Sequence, residues 1–189
     1  MPERSRELWY ALVAIVAITA LYVVAYLQRS AFPTASSLVG HGIGILGFIL
    51  MLMTATLYSI RKLRTDASWG NMAAWLRFHM VTGLVGPYMV LLHTAMRFKG
   101  LAGLAMLLTV IVVASGLIGR FIYTAVPRTI DGAEAAASGA DPDDLHDRLV
   151  KRRRALATWH TFHVPLTWAL FAAAFVHVVA ALYYATLQR

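Results

Sequence analysis

Residues 73–96 read AAWLRFHMVTGLVGPYMVLLHTAM, an apolar run broken by two histidines, His79 and His93. The run has the length of a bilayer crossing, for which roughly 20 apolar residues suffice. Ionisable or polar groups inside such a run are costly, and where they occur they usually have a task. Fourteen positions separate the two histidines. At 3.6 residues per turn that spacing returns a side chain to within about 40° of its starting direction, about 21 Å further along the axis. One helix face thus offers two imidazoles at two depths.

Residues 160–187 repeat the pattern, with His163 and His177 at the same separation. Further apolar runs cover 8–27, 38–60 and 101–126, which predicts an all-α integral membrane protein of five transmembrane helices forming a single membrane domain. The first run is longer than the roughly 7–15 residues of a signal-peptide apolar region, so it reads as a retained span. The other four helices are expected to form a four-helix haem-binding bundle, with the first helix beside it. One span intervenes between the two histidine-bearing helices, so they run parallel. His79 then levels with His163, and His93 with His177.

Composition narrows the chemistry. The chain is 59% hydrophobic and 14% charged, and it contains no cysteine. That excludes iron–sulfur clusters, covalently attached c-type haem, disulfides and thiol catalysis. Two imidazoles on an iron leave no open position and suit electron transfer rather than oxygen binding. The expected cofactors are therefore two haem b groups, ligated by His79, His93, His163 and His177. Arg77 and Arg97 stand near the two ends of the third helix, as partners for haem propionates or as snorkelling anchors. Gly86 lies seven residues from both His79 and His93, on the face between the haems, or equally serves close helix packing, as do Gly40, Gly42, Gly44, Gly47, Gly116 and Gly119. His160 is 17 residues from His177, about 100° off the shared face. It and His41 at the opposite end are candidates for a quinone site.

Of 17 lysines and arginines, twelve fall on the side of the N-terminus and four on the other, with Arg120 inside a span. The positive-inside tendency then places the N-terminus in the cytoplasm and the C-terminus outside, in a bacterial-type inner or plasma membrane. Trp9, Trp69, Trp75 and Trp159 fall at the inner interface. The net charge of +8 follows from this topology and from attraction to anionic lipid, not from nucleic-acid binding. Residues 128–159 form a cytoplasmic loop and helix. Asp141 is its N-cap, Pro142 its first helical residue, and Asp144 with Arg148 and Asp147 with Lys151 are acid-before-base pairs.

The segment from Arg77-Phe-His79 to His93-Thr-Ala-Met-Arg97 resembles a haem helix of the cytochrome b family of respiratory bc complexes. Phe162-His163-Val-Pro165 through His177 is similar to that family's other haem helix, and the ferric-reductase and NADPH-oxidase membrane domains carry a comparable pair. The resemblance covers about half the chain and implies that His79, His93, His163 and His177 are axial ligands. The Pro-Glu-Trp-Tyr quinol-site motif is absent, as is a flavin and nucleotide domain. The implied function is a diheme electron-transfer subunit of an oxidoreductase, part of a hetero-oligomer linked to the quinone pool. Its redox partner would be a cytochrome c, an iron–sulfur protein or a catalytic subunit. The alternatives are a ferric-reductase-like donor to an extracytoplasmic acceptor, a histidine-relay transporter, and a structural subunit without haem.

Overall fold

The computed structural model describes residues 6–29, 37–63, 70–125 and 142–187. All the regular structure among them is helical: α1 (Arg6–Arg29), α2 (Leu38–Leu63), α3 (Met72–His93), α4 (Gly100–Ala125) and α5 (Pro142–Leu187). The chain divides into two compact units, Met1–Thr109 and Val110–Arg189, with the boundary inside α4.

Four helices, α1, α2, α4 and α5, are long and apolar enough to cross a membrane. Their large apolar side chains are largely uncovered by protein, among them Leu21, Ile45, Leu107, Phe121, Trp168, Phe175 and Leu182. Contiguous exposed apolar surface on this scale is what lipid covers, and a helix satisfies its own backbone polar groups there. The chain has the character of a multi-pass membrane protein. The fifth expected span, α3, is not among these four, and Arg77, His79, Thr82 and His93 interrupt its apolar run. Its 22 residues still measure about 33 Å.

Packing explains why α3 tolerates those groups. It lies against both α2 and α1 and carries the buried residues Thr82, Val85, Gly86, Pro87 and Met89. Val85 and Met89 form a small core with Ala11 of α1, flanked by Ala14, Ile18, Ile43, Leu50, Val81 and Leu84. The hydroxyl of Thr19 donates to the Ile15 carbonyl (2.7 Å), and Tyr88 reaches the same hydroxyl at 2.5 Å, tying α3 to α1. On the other side α2 and α3 touch through backbone. A Cβ at Gly47 would stand 2.8 Å from the Gly86 carbonyl oxygen, and one at Gly86 would stand 3.0 Å from that of Gly47.

Helix ends depart from the apolar runs in informative ways. At its start α3 is capped by Asn71, whose side chain accepts from the Ala73 amide at 2.9 Å. Its far end lies at His93 rather than at residue 96. Thr94 Oγ1 takes the Leu91 carbonyl (2.7 Å) and accepts from the Met96 amide (3.2 Å), competing with the helical ladder. Ala95 and Met96 then turn with φ of 46° and 60°, a left-handed conformation costly for residues with a Cβ. The cytoplasmic helix, expected to lead through Lys151 to Arg154 into the last span, is continuous with it in one helix, α5, of 46 residues. Its first residue, Pro142, suits the first helical position, where no amide is required. The expected loop 128–140, Asp141 and Trp69 lie outside the described residues, as do the side chains of Asp143, Asp144, His146 and Arg148. The acidic residues are not all confined to tails and loops, since Glu7 is buried in the first turn of α1.

Candidate functional site

In the first unit, α2 offers α3 two backbone carbonyls at the spacing of the α3 histidines. His79 Nδ1 donates to the Thr54 carbonyl at 3.1 Å, and His93 Nδ1 donates to the Gly40 carbonyl at 2.8 Å. Between them Gly47 meets Gly86. Along α2 the series is residues 40, 47 and 54, and along the antiparallel α3 it is 93, 86 and 79. Each step is seven residues, two helical turns, so one face of α2 meets one face of α3 throughout.

The hydrogen bonds determine the chemistry of the rings. A carbonyl oxygen can only accept, so Nδ1 carries a proton, and in the neutral ring Nε2 keeps its lone pair. An imidazole bonded through Nδ1–H to a backbone carbonyl is held in the tautomer and orientation that a metal ligand needs. The rings are also packed. Tyr58 lies 4.7 Å from the His79 ring, and the Thr54 hydroxyl donates to that of Thr82 at 2.6 Å nearby. The His93 ring lies directly over Gly44, where a Cβ would stand 2.6 Å from Cγ.

The second unit builds a related arrangement around His163. Its Nδ1 lies 3.0 Å from Ser115 Oγ on α4, and Trp159 stacks on the ring at 4.7 Å and 24°. The indole Nε1 donates to the Ser115 carbonyl (2.7 Å) and its hydroxyl (3.2 Å). Gly119 seats the indole, since any Cβ there would collide with it, and Gly116 passes His163 Cε1 at 3.7 Å from its own would-be Cβ. His177, two helical heptads further along α5, is half-buried.

The remaining candidates are placed as follows. Arg77 and Arg97 are exposed, Arg97 beyond the end of α3. Gly86 is buried against α2, which is the close-packing role. His41 is exposed, its ring 6.1 Å from that of His93, and its Nδ1 faces the Ser37 carbonyl at 3.3 Å. His160 is exposed beside Trp159. Trp159 is a packing partner of His163 as well as a candidate for the membrane interface. Among the described residues, no three of His, Cys, Asp or Glu gather to hold a metal ion. A haem needs only two protein ligands, because its macrocycle supplies the rest.

Thr54, Tyr58, Gly44, Ser115 and Trp159 do not stand out in the sequence as site residues. One signal for them exists: the heptad of Gly40, Gly47 and Thr54 mirrors that of His79, Gly86 and His93. Comparison with family models, with characterised proteins and with solved structures returns no match.

Proposed function

We propose that this chain is a diheme b-type cytochrome that carries electrons across the membrane, with His79, His93, His163 and His177 as the axial ligands. The observation that carries this reading is the shared treatment of three of the four histidines. His79, His93 and His163 each present Nδ1 to an oxygen on the neighbouring helix, and for His79 and His93 that oxygen is a carbonyl, which requires the proton on Nδ1 and leaves the lone pair of a neutral ring on Nε2. The equal 14-residue separations of the histidines within α3 and within α5 support this reading as well. The residues present fit the group: anchored imidazoles, glycine beside two of the rings, and arginines near both ends of α3 for propionates.

Haem, when bound, supplies reversible one-electron chemistry at iron. The chain fixes the His79, His93 and His163 imidazoles, withholds water by burial in lipid and protein, and through their Nδ1 hydrogen bonds sets how strongly these three ligands donate. The N-terminus is cytoplasmic and the C-terminus outside, on the distribution of lysine and arginine. A partner protein completes the reaction, within a hetero-oligomeric redox complex drawing on the quinone pool. His160 and His41 are the exposed imidazoles placed to accept a quinol proton. Unchanged quinol-dependent reduction in both alanine variants would remove that role.

The test is a dithionite-reduced minus oxidised spectrum of the purified protein with pyridine haemochrome quantification. Two low-spin b haems per chain are expected, falling to one in His93→Ala or His163→Ala. Protein made with ample haem supply that contains none refutes the proposal.

A further inference from the structure

We propose that Ser115 is the positioning residue of the His163 ligand: its hydroxyl, steadied by Trp159, sets the proton position on that imidazole and thereby tunes one haem independently of the other. This rests on the diheme reading above. Three features of the second unit lead to it.

First, the anchor differs in kind. His79 and His93 bond to main-chain carbonyls, which can only accept, whereas Ser115 Oγ can accept or donate. Donation from Ser115 to Nδ1 would leave the proton of a neutral ring on Nε2, where it blocks ligation. Acceptance from Nδ1–H frees Nε2. The direction of this one hydrogen bond therefore biases which ring nitrogen of His163 carries the proton.

Second, Trp159 fixes the serine. The indole N–H is a donor only, and at 3.2 Å from Oγ it occupies one lone pair while also bonding the Ser115 carbonyl. The serine retains one lone pair for the His163 N–H, 3.0 Å away. Third, this small assembly is closely fitted. The Trp159 ring is stacked on His163 and seated on Gly119, so neither ring turns without the other.

An acceptor on Nδ1–H makes an imidazole a stronger donor to iron and favours the oxidised metal. Removing the Ser115 hydroxyl should therefore raise the potential of the haem on His163. Trp159→Phe, which removes the indole N–H and keeps a smaller aromatic ring beside His163, should lower it, because the freed oxygen accepts more strongly. A merely structural role would move both variants the same way.

The experiment is a spectroelectrochemical titration of the full-length, haem-loaded chain, with haem counted by pyridine haemochrome. Expected are two haems in Ser115→Ala, one midpoint potential displaced upward and the other unmoved. Ser115→Thr should restore the wild-type value, and Trp159→Phe should displace the same potential downward. Loss of one haem in Ser115→Ala, regained in Ser115→Thr, carries the same conclusion. A two-haem Ser115→Ala protein with both potentials unchanged, or both moved together, overturns the proposal alone. A wild-type chain without haem overturns the cytochrome reading and this proposal with it.

Discussion

Gly44→Ala should displace the His93 imidazole and weaken the α2–α3 contact around it. The new Cβ would lie 2.6 Å from His93 Cγ and 2.7 Å from Nδ1. Carbon atoms in contact settle at about 3.5–4.0 Å, so the ring has to retreat by roughly 1 Å. Nδ1 now sits 2.8 Å from the Gly40 carbonyl, and a retreat of that size takes it to the limit of hydrogen bonding or beyond. Overpacking costs about 1–3 kcal/mol and the lost hydrogen bond about 1 kcal/mol, against which alanine's better helix propensity returns up to about 1 kcal/mol. A net loss of about 1–3 kcal/mol should lower the thermal midpoint of the detergent-solubilised protein by several degrees and, on the proposed diheme reading, one haem should be lost or its spectrum altered. Gly42→Ala is the internal control. A Cβ there meets nothing within 4 Å, so only the propensity gain remains and the midpoint should hold or rise. If Gly44→Ala melts like Gly42→Ala with both haems intact, the seat described for His93 is wrong.

Three further substitutions test the packing. Gly47→Ala drives a methyl to 2.8 Å from the Gly86 carbonyl and 2.9 Å from Met89 Cβ, and should cost about 1–3 kcal/mol in thermal or denaturant unfolding. An unchanged midpoint would mean that α2 and α3 are not in backbone contact there. Gly119→Ala should expel the Trp159 indole from its seat, seen as a red-shifted tryptophan emission, whereas Gly116→Ala, with its nearest neighbour at 3.7 Å, should leave the emission unchanged. Equal spectra for the two would refute the seat. Thr54→Val keeps the shape but removes the hydroxyl bonded to Thr82, at a cost of about 1 kcal/mol. Because His79 uses the Thr54 carbonyl, the proposed diheme reading expects the haem count to stay at two, and loss of a haem would contradict that division of labour.

The helices were legible because long apolar runs have few other solutions, and the histidine spacing was legible because helical geometry turns sequence distance into direction. The end of α3 was not, because Ala95 and Met96 adopt left-handed backbone without a glycine to announce it. The continuity of α5 was legible only in part. A charged stretch and an apolar one look like separate elements, although Pro142 and the absence of a breaker before residue 155 allow a single rod. The polar residues of α3 were recorded in its sequence, but only its packing on α1 and α2 shows how they are accommodated. The anchors were the hardest to read. Gly40 and Thr54 act through carbonyls, which every residue possesses, so their identity says nothing about the role. Ser115 and Trp159 are 44 residues apart and meet only through the α4–α5 contact.

That difference in anchors bears on how the protein can drift over generations. No point substitution at position 40 or 54 deletes a main-chain carbonyl, so the acceptors of His79 and His93 are sheltered from mutation and vulnerable only to movement of α2. Ser115 is a codon change away from losing its oxygen. Inherited variation can thus reach the environment of His163 directly, while that of the two α3 histidines is written into the backbone.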